Sequence, residues 1–291
     1  MWNKPWTMKE GFLIGGGLIV AGLLLELSVG PVVWDAFAWP VNGIVLALFV
    51  AIIVGIHLLR GKVYAFRFLS TYQAAVPVMC YAVVLTVVMG LTRQTVNGQW
   101  IYNMLTFWPF VLTYVYMALI VGLVVLKSGF RLKSPTKIVA ALFHLGLFIT
   151  MTTATLGNAD MQRLKMITAI GEPEWRALDQ QGHVKELALA IELKQFIMET
   201  YDDGSPKRFA SEIEILTKKG EKFLTTVDVN KPAEVDGWKI YQYGYDTSMG
   251  ARSNTSILEL VSDPWLPYVY GGIYMMLAGG LLMMITGARK R

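Results

Sequence analysis

Val41-Asn42-Gly43-Ile44-Val45-Leu46-Ala47-Leu48-Phe49-Val50-Ala51-Ile52-Ile53-Val54-Gly55-Ile56-His57-Leu58-Leu59 runs for nineteen residues without an Asp, Glu, Lys or Arg, and Arg60 follows at once. At 1.5 Å per residue a helix of that length reaches about 28 Å, close to the thickness of a bilayer's hydrocarbon core. Four more apolar stretches of similar length lie at roughly 11–30, 73–92, 107–126 and 138–157, and a sixth at about 266–286. Hydrophobic residues make up 54% of the 291 positions and charged residues only 16%, more apolar surface than one soluble core can hide. The expected fold class is therefore an α-helical polytopic membrane protein with six spans. Between spans 5 and 6, roughly 159–264, the composition turns into that of an ordinary soluble domain. Three regions follow: 1–158 with spans 1–5, 159–264 as a β-rich domain, and 265–291 with span 6 and a basic tail.

Charge gives the expected orientation. Lys4 and Lys9 precede span 1, and Arg60, Lys62 and Arg67 separate spans 2 and 3. Lys127, Arg131, Lys133 and Lys137 separate spans 4 and 5, and Arg289, Lys290 and Arg291 follow span 6. The alternate short loops hold only Arg93. Basic residues stay on the cytoplasmic side, so both termini are expected inside the plasma membrane and 159–264 outside it. That domain has 18 acidic and 13 basic residues, so the net charge of +5 comes from the membrane flanks and no nucleic-acid partner is expected.

Lys4, Lys9 and an apolar run ending in Leu27-Ser28-Val29-Gly30 imitate a signal peptide, but Pro31 directly after that small-residue site argues against cleavage, and the segment reads as span 1. A lone Cys80 in span 3 offers neither a disulfide nor a Cys-x-x-Cys pair.

The outer domain reads as strands. Glu186 to Leu193 and Glu212 to Leu216 alternate with period two, and Asp202-Asp203-Gly204-Ser205-Pro206 supplies turn chemistry between them. Lys218 to Glu221 turns into a strand at Phe223 to Val227, Asp236-Gly237 turns into Trp238 to Tyr243, and Ser256 to Val261 is a last strand. A short antiparallel sheet or sandwich is expected.

Three histidines carry the candidate chemistry. His57 lies one helical turn before Arg60, and His144 seven residues after Lys137, so the two sit about 5 and 10 Å inside the expected cytoplasmic boundary. An ionisable group in a span is costly and marks a functional site, and neutral imidazole is an axial ligand for haem iron. The bland alternative for each is a hydrogen bond between helices. His183, in a Gln180-Gln181-Gly182-His183 turn, reads as a solvated loop residue, and Glu26 as a carboxylate snorkelling to the boundary. The glycine clusters Gly15 to Gly17, Gly271-Gly272 and Gly279-Gly280 read as close helix-packing faces. No nucleophile paired with a base, phosphate loop or metal-spaced cluster stands out.

Several runs resemble the ResB (CcsB) family. They are Leu156-Gly157-Asn158-Ala159-Asp160 with Met161 to Met166 after it, Gly171-Glu172-Pro173-Glu174-Trp175-Arg176, Glu186 to Phe196, Asn230-Lys231-Pro232, Gly237 to Gln242, and Leu258 to Pro264. Phe68-Leu69-Ser70-Thr71 and Met89-Gly90-Leu91-Thr92 extend the likeness to span 3, while Trp265 stands where the family more often has Gly. The resemblance implies cytochrome c biogenesis by system II, with haem as cofactor and a CcsA-type haem-handling membrane protein and apocytochrome c as partners. It implies a subunit that takes part in moving haem across the membrane and presenting it for covalent attachment, any bond-forming step belonging to the complex. The Trp-rich segment of the CcsA partner is absent, so half of a two-protein machine is expected. The family's membrane haem site takes a histidine from an early span, which makes His57 the expected iron ligand, His144 the alternative by depth, and Arg60 a neighbour for the propionates. Two other readings stand beside this one: a transporter for another small molecule, with Glu26 and Thr150 to Thr155 along its path, and an anchor for an outer binding domain.

Overall fold

The computed structural model describes residues 2–95, 98–129 and 135–288, so Arg131, Lys133 and the tail Arg289-Lys290-Arg291 of the charge argument lie outside the described residues. The chain divides into two compact units, Met1–Asp160 with Trp265–Arg291, and Met161–Pro264.

Among the described residues, six helices of the first unit are long and apolar enough to cross a membrane. They are α1 (Met8–Val29), α2 (Val41–Leu59), α4 (Tyr72–Leu91), α5 (Trp108–Gly129), α6 (Pro135–Gly157) and α7 (Leu266–Ala288), with a short α3 (Tyr64–Leu69) between the second and third spans. Thr7 and Glu10 open α1 with a reciprocal capping box, the Thr7 hydroxyl accepting from Lys9 N and the Glu10 carboxylate from Thr7 N. Small residues then set how closely the spans approach. A Cβ on Gly146 of α6 would meet the backbone of Gly272 and Met276 on α7, and one on Gly279 would sit 2.7 Å from Phe143 N, so α6 and α7 touch backbone to backbone. Within each expected glycine cluster the packing falls to particular members: Gly15 faces the Tyr81 ring and Gly272 faces α6, whereas Gly17 and Gly271 meet nothing within 4 Å.

α2 shows a single inward stripe, Asn42, Val45, Phe49, Ile53 and His57, spaced three or four residues apart. Ile53 and Phe148 of α6 converge on Gly122 of α5, where a Cβ would lie 2.7 Å from Ile53 and 3.0 Å from Phe148. The Phe49 and Phe148 rings stack with centroids 6.3 Å apart.

The second unit is one eight-stranded antiparallel sheet in the order β5-β4-β3-β2-β1-β8-β7-β6. Its strands are β1 (Gln162–Ala169), β2 (Glu174–Leu178), β3 (Val184–Thr200), β4 (Pro206–Thr217), β5 (Lys222–Asp228), β6 (Ala233–Val235), β7 (Trp238–Tyr245) and β8 (Thr255–Ser262). Leu164, Met166, Ile191, Leu193, Ile213, Ile215, Ile240, Leu258 and Leu260 fill its interior. Alternation does this work, because every second side chain of a strand points to the same face. The sheet rolls over on itself: the Ser211 hydroxyl of β4 donates to the Ser256 hydroxyl of β8 at 2.7 Å, although three strands separate them in the sheet. The Gln242 amide of β7 completes that interior network, 2.8 Å from Ser256 Oγ. Rolling brings the two edges together, since only residues 229–232 link β5 to β6.

The expected fold class is borne out, with a single rolled sheet in place of a short sheet or sandwich. Asp236 and Gly237 both adopt positive φ, 49° and 81°, the two-residue hairpin their sequence announced.

Candidate functional site

His57 occupies the last turn of α2 and is buried, 8% exposed. Arg60 Nη1 lies 3.2 Å from its Nδ1. A guanidinium only donates, so His57 Nδ1 accepts and the ring proton belongs on Nε2. The structure thus brings two of the three expected site residues together. His144 is held within its own helix instead, its Nδ1 2.6 Å from Ala140 O and its ring edge-on to Phe143 at 5.6 Å. A carbonyl only accepts, so His144 Nδ1 carries a proton and Nε2 is the ring nitrogen left for another partner. With α2 and α6 in contact at Phe49 and Phe148, both histidines lie on the same side of that contact, toward the Arg60 end of α2.

The donor set suits a haem iron, because each candidate is an imidazole, and the two differ in readiness. A ligating histidine ordinarily donates Nδ1–H to a carbonyl or carboxylate and ligates through Nε2, the arrangement His144 already has. His57 requires Arg60 to leave Nδ1 and the proton to change nitrogen. Among the described residues no group of three His, Cys, Asp or Glu side chains is placed to hold a metal ion by itself.

At the opposite end of the bundle stands a constellation that sequence reasoning did not single out. Asp160 Oδ1 accepts from Trp39 N at 2.7 Å, and its Oδ2 accepts from Asn42 Nδ2 at 2.7 Å and from Trp265 Nε1 at 2.6 Å. Asn42 Nδ2 also donates to Leu156 O at 3.1 Å. One carboxylate therefore ties the start of α2 and the entry to α7 to the end of α6. Desolvation pushes the Asp160 pKa up, but the hydrogen bonds from Trp39, Asn42 and Trp265 outweigh it and hold the carboxyl below the ordinary aspartate range. Trp265 also lays its ring against Gly157, where a Cβ would collide with it. The residue that departs from the family pattern is thus a working part of this joint. The signal available in the sequence was an Asp directly after a span and a Trp directly before one.

Glu26 corrects an expectation. It is buried at 8% exposure, and its Oε2 accepts from Trp108 N, the first residue of α5, at 3.2 Å. The carboxylate caps a neighbouring helix, where the positive end of the peptide dipoles favours it, and does not reach for solvent. Thr150, Thr152, Thr153 and Thr155 donate their hydroxyls to carbonyls of their own helix, three or four residues back. His183 is exposed in its turn beside Asp179, 3.3 Å away.

Six membrane-crossing helices and a rolled antiparallel domain in the chain between the last two define a polytopic membrane protein with a β domain. A sequence profile described as the ResB-like family matches residues 136–259, which take in α6 and the sheet as far as β8. That part of the chain is similar to the ResB-like family. The chain is 28% identical over 149 residues to the cytochrome c biogenesis protein CcsB of Prochlorococcus marinus subsp. pastoris, an alignment covering 51% of this chain and 33% of that protein. A CcsB of a second Prochlorococcus marinus strain is 27% identical over 127 residues, 42% of this chain and 28% of the relative. The chain thus spans about a third of the length of the curated relatives it matches. A solved structure titled cytochrome c heme lyase CcmF overlays 96% of this chain and 46% of its own at 14% identity and a TM-score of 0.38, a likeness too low to bear on function.

Proposed function

We propose that this chain is a ResB/CcsB-type subunit of cytochrome c biogenesis that, with a CcsA-type membrane partner, exports haem and presents it to apocytochrome c. The observation that carries the reading is the ResB-like match over 136–259, which takes in a membrane span and most of the β domain. Loop charge supports an orientation with both termini cytoplasmic and residues 159–264 outside the plasma membrane. His57 is the proposed iron ligand. It is buried on the inward stripe of α2, three residues from a cationic side chain that already touches its ring. Arg60, on leaving His57 Nδ1, has a carboxylate partner available in a haem propionate, and guanidinium suits a carboxylate better than an imidazole nitrogen. His144, whose Nδ1 already donates to the Ala140 carbonyl, is the second candidate.

Co-purification of this chain with its membrane neighbours, followed by the Soret spectrum of the complex, tests the function. The His57→Ala complex is expected to lose haem absorbance and cytochrome c yield together, and added imidazole to restore part of both. If that complex assembles with an unaltered spectrum, His57 is not the ligand and His144→Ala becomes the informative variant. A complex devoid of haem in every preparation, with cytochrome c maturation intact in its absence, overturns the functional reading itself.

A further inference from the structure

Two adjoining chambers of about 210 and 220 Å³ open beside the 3-10 turn Trp34–Phe37, the first between α5 and α6 and the second between α2, α5 and α6. Both are half-open clefts, each with more room than the roughly 150 Å³ of an apolar cavity that takes up benzene. Val45 and Phe49 of α2, Val111 and Val115 of α5 and Met151 of α6 form much of the wall.

Below the rim every side-chain donor of the wall is already used. Trp34 Nε1 donates to Leu105 O, Trp108 Nε1 to Gly30 O, and Tyr114 Oη to Met151 O. Thr152 and Thr155 donate to Phe148 O and Met151 O. A ligand presenting acceptor oxygens at this depth would leave them unsatisfied, at a cost of a few kcal/mol each. This disfavours a nucleotide or the propionate edge of a porphyrin, whose oxygens need donors. Only at the rim is there a polar side chain without a hydrogen bond to the protein, the exposed amide of Asn158.

The second chamber also lies where α2 is thinly packed. The buried residues of α2 are Asn42, Ile53 and His57, and between Asn42 and Ile53 the half-buried side chains Val45 and Phe49 line the chamber. α2 is held at one end by the Asp160 joint and farther along by Phe49 on Phe148 and Ile53 on Gly122, with the chamber beside this stretch. Lipid surrounds these helices, and a hydrocarbon chain needs none of the hydrogen bonds the wall withholds.

We infer that the chambers hold the acyl chain of one membrane phospholipid, which completes the packing of α2 against α5 and α6, with the ester region at the rim beside Asn158. This site is separate from the histidines and does not depend on the haem reading.

The test compares the purified full chain with a filled variant, Val111→Phe with Val115→Phe, and a surface control, Leu48→Phe, whose side chain is 59% exposed on α2. After extensive detergent exchange, native mass spectrometry should find a phospholipid retained by the wild type and the control and lost from the filled variant. Phospholipase treatment should lower the Tm of the wild type and leave that of the filled variant unchanged. A photoreactive phospholipid carrying its diazirine near the chain end should label the wild type within α5 or α6, at the chamber residues, which holds the claim open to refutation even where the filled variant fails to fold. Equal lipid retention by wild type and filled variant, labelling confined to exposed helix faces, or retention of an isoprenoid quinone in place of phospholipid would each overturn the inference.

Discussion

At the residue scale the two ends of the bundle show what one polar side chain can do among apolar helices. Asp160 satisfies three donors from three segments, so Asp160→Ala leaves a backbone N–H, an amide and an indole N–H without their partner. A loss of about 1–3 kcal/mol is expected for each group left buried and unsatisfied, less where water reaches it. Thermal unfolding in detergent measures it. The pH dependence has a definite sign. The Asp160 pKa is lowered below its ordinary value of 3.8 on folding, so its stabilisation is present above that value and is lost as the pH falls through the folded pKa. Wild-type Tm should therefore drop below about pH 4 by more than that of Asp160→Asn, which lacks the titrating group. Equal acid sensitivity of the two would refute the assignment of the joint to Asp160.

At the element scale helix contact depends on which glycine of a cluster faces a neighbour. Gly272 faces Thr150 and the Gly146 carbonyl, while Gly271 meets nothing within 4 Å. Gly272→Val should therefore lower the Tm and the monodisperse yield, whereas Gly271→Val, with the same change in composition, should leave both near wild type. Comparable losses from the two would show that helix propensity, and not the approach of α6 to α7, governs this position. In the β domain, β3 shows why part of the sheet was illegible. Leu189, Ile191 and Leu193 point inward, the register against β4 then slips between Leu193 and Gln195, and the next inward residue is Phe196. A bulge changes the phase of alternation, so a reading based on period two ends the strand at Leu193 although it continues to Thr200. β2 escaped for a different reason, since Ala177 is its one buried side chain and five residues give no repeat.

At the scale of the whole molecule the charge asymmetry makes a test independent of any site. Reporter fusions at residue 62 or 131 should score cytoplasmic and at residue 200 external, and an external signal at 131 would overturn the six-span orientation. The β unit has its own buried interior from Leu164 to Leu260, so residues 161–264 expressed alone should give a soluble chain with a cooperative unfolding transition and a β-type circular dichroism spectrum.

The sequence by itself determined the solvent of each part of the chain. Apolar runs near twenty residues demand lipid, and alternation in the segment between the last two demands a half-buried sheet, because length and period are local properties. It also marked His57 and His144 as costly, and placed Arg60 one turn from His57. Only the tertiary structure decided what each polar group meets. Whether Glu26 snorkels or caps α5, which carboxylate gathers Trp39, Asn42 and Trp265, and which ring nitrogen of each histidine holds the proton all depend on partners up to 121 residues away or on side-chain direction within a turn. A hydrogen bond is a contact of about 3 Å, and sequence spacing along one helix does not say which neighbouring helix will supply its other half.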